Sequence, residues 1–209
     1  MKHEWRKKEK EYYLPGNRPS RVEIPEFAFF SIAGKGNPND ESFAEYITVL
    51  YSLSYAIKTS PRKGTVPEGY YDYTVYPLEG VWDIDKEAKE NCTGKFDKDH
   101  LVFNLMIRQP DFVDANFART VLEQVKKDKP HALLNQVKFE KLTDGDSIQM
   151  LHTGSYDDEP ASFQLMENFA ETWNLKRVSK VHREIYLTDA RKVEAEKLKT
   201  VLRFQVESK

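Results

Sequence analysis

The spacing of hydrophobic residues in the first half of the chain predicts two strands, a long helix and two more strands. The strands are predicted at 21–24, 27–33, 70–82 and 101–108. Between the second and third strands, Phe43, Leu50 and Ile57 recur at the spacing of one helical face, which predicts an amphipathic helix over 42–58. The first two strands are joined at Pro25-Glu26 and are expected to form a pair.

The second half repeats this order after a linking helix predicted at 114–127. Asp144-Gly145 is a strong turn signal, so the strands on either side of it are expected to form a hairpin. Pro160 suits the first turn of the next helix, and the acids before it suit the positive end of the helix dipole. The predicted elements are strands at 137–142, 147–153, 180–187 and 197–206 and a helix at 161–173.

This repeated order predicts an α+β fold that arose by duplication. Short sequence similarities between the halves, such as Val75-Tyr76-Pro77-Leu78 and Ile185-Tyr186-Leu187, support it. Two such halves would pair around a pseudo-twofold axis, and the junction between modules is a common place for a small-ligand pocket. The predicted domains are an extension at 1–20 and one domain at 21–209, with repeats at about 21–110 and 136–209.

The strand at 180–187 carries the strongest candidate chemistry. Its alternation places His182, Glu184 and Tyr186 on one face, opposite a face with Arg183 and Ile185. If the first face is solvated, the pattern is ordinary for an antiparallel strand. If that face borders an apolar hollow, a carboxylate there is costly to bury and indicates a function. The segment alone leaves both interpretations open.

Composition and charge exclude several classes of protein. Aromatic residues make up 12% of the 209 positions, enough to line a ring-rich pocket as well as a core. A formal net charge of -2 gives no electrostatic footprint for DNA, so no direct DNA binding is expected. Cys92 is the only cysteine, and no apolar run resembles a signal peptide or a membrane span. These features predict a soluble cytoplasmic protein, a monomer or a weak homodimer, with no membrane association.

The motifs of covalent and metal-dependent catalysis are missing from the sequence. There is no nucleophile elbow, Cys-His pair or zinc-protease motif, and Gly34-Lys35-Gly36 lacks the residues of a phosphate loop. Asp157-Asp158-Glu159 suggests a metal site, yet its position before a helix is explained by capping. We therefore expect no cofactor and no metal. The charged stretch at 4–13 is interpreted as a packed amphipathic lead-in, with a basic arm for a partner as the alternative.

Four segments together carry a family resemblance. They are FFSIAGKGNP at 29–38, YTVYPLEGVW at 73–82, MLHTGSYDDEP at 150–160 and HREIYLTD at 182–189. The chain resembles the GyrI-like small-molecule-binding family, which includes gyrase-inhibitory proteins and effector domains of multidrug-responsive transcription regulators. The resemblance implies tandem strand-helix-strand-strand modules, with an antiparallel sheet around a central aromatic pocket. The family's acidic residue that meets cationic aromatic ligands matches Glu184.

The resemblance also implies a function and a set of site residues. Some family members are hydrolases that open the cyclopropane ring of DNA-alkylating natural products, and this chain is similar to the stand-alone members. We expect an aromatic pocket for planar, hydrophobic or cationic molecules, with ring-opening hydrolysis as the activity and a non-enzymatic drug binder or gyrase inhibitor as the alternative. Glu184 and Tyr186 are the expected catalytic residues. The expected ligand contacts are Tyr71, Tyr76, Glu79, Trp82, Tyr156, Phe163, Trp173 and His182.

Overall fold

A computed structural model describes residues 2–90 and 97–209, so Cys92 lies outside the described residues. The chain divides into two compact units, which are described separately below. The first comprises Met1–His3, Phe27–Leu78 and Trp82–Leu142, and the second Glu4–Glu26, Glu79–Val81 and Thr143–Lys209. None of the helices in the described ranges has the length and apolar character needed to cross a membrane.

Helices and strands alternate along the chain in an α+β arrangement. The helices are α1 (Trp5–Lys8), α2 (Lys10–Tyr13), α3 (Phe43–Thr59), α4 (Lys86–Glu90), α5 (Ala115–Asp128) and α6 (Glu159–Thr172). The strands are β1 (Ser20–Ile24), β2 (Phe27–Lys35), β3 (Leu78–Ile84), β4 (Leu101–Arg108), β5 (Lys138–Leu142), β6 (Gly145–Thr153), β7 (Leu175–Arg177), β8 (His182–Tyr186) and β9 (Lys199–Ser208).

The first unit is built on β2, which pairs antiparallel with both β4 and β5. Helix α3 packs against β2 and β4. Its Leu50 and Leu53 are fully buried, as are Phe30 and Ile32 of β2 and Leu105 of β4. Burial of these side chains supplies the main stabilisation of the unit, at about 1.5–3 kcal/mol for each large aliphatic or aromatic side chain.

The second unit is an antiparallel sheet in the order β1, β6, β9, β8, with β7 also paired to β9. Helix α6 covers it through Met166 and Ala170, which pack with Ile148 of β6 and with Leu202 and Phe204 of β9. Along the chain, β2 is followed by α3, β3 and β4, and β6 is followed by α6, β7, β8 and β9. The predicted α+β class with an antiparallel sheet is confirmed. The predicted duplication into tandem strand-helix-strand-strand modules stays a prediction.

The structure corrects two predicted strand pairings. Strands β1 and β2 do not form a pair across Pro25-Glu26, because β1 pairs with β6 while β2 pairs with β4 and β5. The predicted hairpin at Asp144-Gly145 is also wrong, because β5 pairs with β2 and β6 pairs with β1 and β9. The turn signal itself is real, since Gly145 has φ of 58°. The partner of a strand is set by long-range packing, which a local turn signal does not report.

The stretch predicted as a strand at 70–82 is a strand only from Leu78 onward. Before that point, Tyr73 makes a single bridge to His3, and its ring lies among Tyr76 and Phe112. The stretch was predicted as a strand because aromatic residues are frequent in strands. Here the aromatic side chains pack into the core although the backbone of the segment is irregular.

The N-terminal segment packs into the second unit. Trp5 and Tyr13 are each only 2% exposed, and their rings lie 5.3 Å apart. Backbone oxygens of the segment accept hydrogen bonds from the sheet: Gln149 Nε2 donates to the Glu11 carbonyl at 2.6 Å, and the backbone N–H of Leu151 donates to the Gly16 carbonyl at 2.9 Å. The interpretation of a packed lead-in is therefore correct for Trp5 to Tyr13.

Candidate functional site

The alternating face of β8 forms a chain of hydrogen bonds centred on Glu184. His182 Nε2 lies 3.2 Å from Glu184 Oε1, and the Tyr186 hydroxyl donates to Glu184 Oε2 at 2.8 Å. The three side chains therefore share one face, as the alternation predicted. Glu184 is only 8% exposed, which decides against the solvated interpretation of this face.

A second acid, Glu159, joins Glu184 from the first residue of α6. Glu159 is 6% exposed, and its side chain forms a carboxyl–carboxyl contact with Glu184. Its Oε1 atom has no hydrogen-bond donor among the described residues. The sequence analysis had assigned Glu159 to helix capping. The sequence nevertheless indicated that Glu159 is buried. It precedes Phe163 by four residues and Met166 by seven, which places it on the buried face of α6.

Glu159 is expected to keep its proton at neutral pH. Burial, together with the charge and hydrogen bond of Glu184, raises the pKa of Glu159 well above its usual range. Two carboxylates in contact inside a protein cannot both be ionised at a reasonable cost, so one of them keeps a proton at neutral pH. The pair thus offers a neutral carboxylic acid beside a carboxylate.

The described residues place no Arg or Lys against this acid pair. The ion pair of Glu184 is with His182, and the charged groups that shift Glu159 are both acids. A buried carboxylate normally has a basic partner, because removing an unpaired charge from water is expensive. This pair is therefore a strained arrangement of the kind found at functional sites.

The orientation of His182 is set by its own backbone. Its Nδ1 lies 3.2 Å from the Lys180 carbonyl oxygen, which can only accept, so Nδ1 carries a hydrogen. The Nε2 atom then donates to Glu184 only when the ring is an imidazolium. A proton on His182 would therefore offset part of the negative charge of the cluster.

Three aromatic rings surround the acid pair. The Tyr156 ring packs edge to face on Tyr186 at 6.1 Å, and the Phe163 ring lies 4.7 Å from the ring of His182. Burial and the nearby charge of Glu184 raise the pKa of Tyr156 to about 12, so it remains a neutral phenol at neutral pH. Five of the predicted site residues therefore lie together here, namely Glu184, Tyr186, His182, Tyr156 and Phe163.

His152 holds the segment that brings Tyr156 and Glu159 to this site. Its Nε2 donates to the Ser155 carbonyl at 3.0 Å, so its Nδ1 accepts from the Ser162 hydroxyl at 2.9 Å. The bond to Ser162 is buried and the bond to Ser155 is partly buried, and both lie at the turn from β6 into α6. His152 is thus a structural histidine.

Glu79 lies in a different cluster, on the other face of β8. It accepts from Arg183 Nη1 at 2.9 Å, and Arg183 also donates to Asp144 at 2.6 and 2.7 Å. Arg203 extends this network to Gln149 and to the Tyr12 carbonyl. These acids are neutralised by arginine, unlike Glu159 and Glu184. The contacts of Glu79 are therefore those of a structural ion pair, and its predicted ligand contact stays a prediction.

The Arg183 network predicts acid sensitivity of folding. Burial alone would raise the pKa of Asp144, but the charges and hydrogen bonds of Arg183 and Arg203 outweigh burial and hold the pKa below its ordinary value of 3.8. A lowered folded-state pKa contributes stability that is complete above the ordinary value and is lost as the pH falls through the folded value. Urea unfolding of the wild type should therefore weaken more steeply with acid than that of Asp144→Asn. Parallel curves for the two proteins would contradict the role given to Asp144.

The remaining predicted contact residues lie elsewhere. Trp173 follows the last residue of α6 and is 58% exposed. The other three belong to the first unit. Trp82 stacks on Phe43 at 6.0 Å, Tyr71 packs on Phe112 at 5.2 Å, and Tyr76 lies beneath the guanidinium of Arg108. For these four residues, ligand contact stays a prediction.

Glu159, His182 and Glu184 have the chemistry to bind a metal ion as well as a proton. One donor atom from each lies within 4.8 Å of the others. Two carboxylates and an imidazole suit zinc and other first-row metals. A proton on Glu159 also explains the contact of the two carboxyls, so the arrangement does not require a metal. The expectation of no metal stays a prediction.

A buried acid pair among aromatic rings, on an antiparallel strand-helix-strand-strand fold, defines a small-molecule-binding protein of the α+β class. The matching family model is described as the GyrI-like small molecule binding domain and covers residues 18–207. The chain belongs to this GyrI-like family, as the resemblance of its four segments indicated.

Solved structures support the same assignment. A hydrolase from Listeria innocua is 34% identical, with a TM-score of 0.89, and the match covers 99% of this chain and 100% of that one. An uncharacterized conserved protein from the same organism is 35% identical, with a TM-score of 0.87 and coverage of 98% and 100%. The EcmrR C-terminal domain is 14% identical, with a TM-score of 0.53 and coverage of 92% and 98%, and shares the fold alone. No match was found among curated proteins.

Proposed function

We propose that this protein binds planar aromatic small molecules at the Glu159–Glu184 pair and hydrolyses those that carry a reactive cyclopropane ring. The observation that carries the proposal is the buried acid pair with no Arg or Lys against it. Such a pair places a neutral acid, Glu159, beside a second carboxyl group that can act as a base. The hydrolase from Listeria innocua that matches nearly the whole chain favours the enzymatic form of the proposal.

The substrate class is a cyclopropane joined through a spiro carbon to a cyclohexadienone. Water attacks the ring CH₂ carbon, the cyclopropane C–C bond breaks, and its electron pair moves through the ring to the carbonyl oxygen. Glu184, as the carboxylate, takes the proton from water. Glu159, as the neutral acid, gives its proton to the developing phenolate oxygen. The product is a phenol with a hydroxymethyl or hydroxyalkyl arm.

The carboxyl contact restores the site after each turnover. Glu184 then holds the proton from water and Glu159 is ionised. One proton transfer across their contact returns both acids to their starting states. Hydrolysis by this route consumes water and needs no other reactant.

Tyr186 has a different role in this scheme from the one expected from the sequence. Its hydroxyl donates to Glu184 Oε2 at 2.8 Å, so in this geometry it orients the base and does not face a substrate oxygen. Tyr156, Phe163 and His182 provide the ring surfaces against which a planar ligand can pack.

A non-enzymatic binder is the second candidate. An acid cluster that no Arg or Lys neutralises suits a delocalised organic cation, which can pair with Glu184 and stack on the rings without any chemistry. Sequestration of a cationic drug would then be the whole function. Inhibition of gyrase through a surface contact belongs to the same non-enzymatic class.

Product analysis separates these candidates. The purified full-length protein is incubated with a spirocyclopropyl cyclohexadienone in ¹⁸O-labelled water, and the mixture is analysed by mass spectrometry. The proposal expects a hydrated product that carries one ¹⁸O on the former cyclopropane carbon, formed much faster than without protein. A substrate that is bound but never consumed would contradict the hydrolase and favour the binder.

A further inference from the structure

We propose that two copies of this protein associate through strand β1, an edge strand of the second unit, and form a symmetric dimer whose sheet runs from one copy into the other. Among the described residues, β1 pairs with β6 on one side and with no strand on its other side. An edge strand offers its backbone N–H and C=O groups to any strand that lies beside it. This surface is separate from the acid pair, so the inference does not rest on the proposed function.

A cavity of about 560 Å³ leaves room for a second strand along this edge. Four successive residues of β1, 20–23, line the cavity, so it follows the backbone of the strand and is not confined to one face. Leu14 and Pro15 of the N-terminal segment line it as well, together with the partly buried Val22. An added strand would lie about 4.8 Å from β1 and would cover these apolar side chains.

The length of β1 determines how a second copy can pair with it. Pro19 and Pro25 flank the strand, and proline cannot donate a backbone hydrogen bond to a sheet, so the pairing ends near these residues. An antiparallel pair that overlaps the whole strand, Ser20–Ile24, is centred on Val22. In this register Val22 lies opposite Val22 of the second copy, and Arg21 lies opposite Glu23.

The charges of β1 are complementary to those of a second copy in this register. Arg21 and Glu23 are both exposed and share one face of the strand, and Val22 lies on the other face. The dimer therefore contains two Arg21–Glu23 pairs between copies, and opposite charges directly across a sheet are favourable. Asp146 orients the guanidinium of Arg21 at 2.6 and 2.7 Å, and the Arg21 side chain remains 48% exposed.

Charged residues on an edge strand can also serve to prevent association, which is the alternative explanation of this sequence. Charges of one sign would have that effect, because each strand would repel its own copy. The alternation of Arg21 and Glu23 has the opposite effect, because the antiparallel register places unlike charges together. Since β1 has only five residues, we expect a weak dimer rather than an obligate one.

Disulfide trapping tests the register. In full-length protein that carries Cys92→Ser, the substitution Val22→Cys places two thiols opposite each other, with Cβ atoms about 4.5–5.5 Å apart before a small adjustment. The matched control is Ser20→Cys, on the same strand and face, whose two copies would lie about 13 Å apart along the strand. We expect mild oxidation to form a covalent dimer of Val22→Cys about tenfold faster, or more, than of Ser20→Cys.

Sedimentation velocity tests the charge pairing without an added thiol. The wild type should shift from monomer to dimer as its concentration rises through the micromolar range. Glu23→Arg and Arg21→Glu should each remain monomeric, because like charges then face each other, and an equimolar mixture of the two should dimerise again. Circular dichroism shows whether each variant is folded. If Arg21→Glu fails to fold without its pair to Asp146, disulfide trapping still decides.

Two results would overturn the inference. The first is a wild type that is monomeric at every concentration, with Val22→Cys trapped no faster than Ser20→Cys, which would leave the edge to an extended segment of another protein. The second is a dimer that persists unchanged in Glu23→Arg, which would place the interface on another surface. Neither result affects the hydrolase proposal.

Discussion

Replacement of Glu184 by Gln is expected to lower the turnover of a cyclopropanoid substrate by about 10²–10⁴-fold, the usual loss when a general base is removed. Gln has nearly the same shape and keeps an oxygen that can accept from the Tyr186 hydroxyl, but it cannot take a proton from water. The variant should therefore remain folded and bind the neutral substrate within a few-fold of the wild type. Equilibrium dialysis measures binding, and product formation measures turnover.

A matched control is Glu171→Gln. Glu171 is an exposed acid in the last turn of α6, twelve residues after Glu159, and it pairs only weakly with Lys209. Turnover by this variant should equal that of the wild type. Retention of activity by Glu184→Gln, or an equal loss in both variants, would show that Glu184 is not the general base.

The second large effect is on stability. Arg183→Met is expected to lower the free energy of unfolding by about 3–5 kcal/mol, because it leaves Asp144 and Glu79 as buried acids without their main basic partner. The side chain of Arg183 is only 6% exposed, so water cannot replace the lost partner. Urea unfolding monitored by circular dichroism measures the change.

An exposed ion pair of similar geometry provides the comparison. Arg21 contacts Asp146 at 2.6 Å, but its side chain is 48% exposed. Loss of Arg21 in Arg21→Met should change stability far less, because solvent screens exposed pairs and solvates the partner left behind. If both variants lost the same free energy of unfolding, the buried network would contribute no more to stability than an exposed ion pair does.

These two effects come from opposite faces of one strand. On β8, Arg183 meets acids that it neutralises, while Glu184 meets another acid and no arginine. The strand can thus combine a stabilising network with a reactive site because successive side chains point to opposite sides of the sheet. Replacing a residue on the Arg183 face of β8 should therefore affect mainly stability, and replacing one on the Glu184 face should affect mainly turnover.

Local patterns in the sequence predicted much of this fold. The period-two alternation of β8 placed His182, Glu184 and Tyr186 together correctly, because strand geometry alone determines which side chains share a face. The helical spacing of Phe43, Leu50 and Ile57 likewise predicted α3 nearly to its ends. The family resemblance indicated a small-molecule ligand, which the spacing of hydrophobic residues cannot predict.

Strand pairing and contacts between residues far apart in the chain could not be predicted from local patterns. Asp144-Gly145 resembles a hairpin turn, but Asp144 contacts Arg183 and Arg203, which lie far along the chain. Local turn chemistry carries no information about these partners. The same limit applied to Glu159, whose place before Pro160 fits a helix start equally well whether its carboxyl is solvated or buried. Only its contact with Glu184 distinguishes the two.

The most direct test of the central claim is a carbon NMR titration of the side-chain carboxyls of Glu159 and Glu184 in ¹³C-labelled protein, assigned with Glu159→Gln. If Glu159 keeps its proton beside Glu184, its carboxyl signal will titrate well above the usual range of a glutamate. If Glu159 instead ionises at the ordinary pKa of about 4.3, it is not the neutral acid that the account requires.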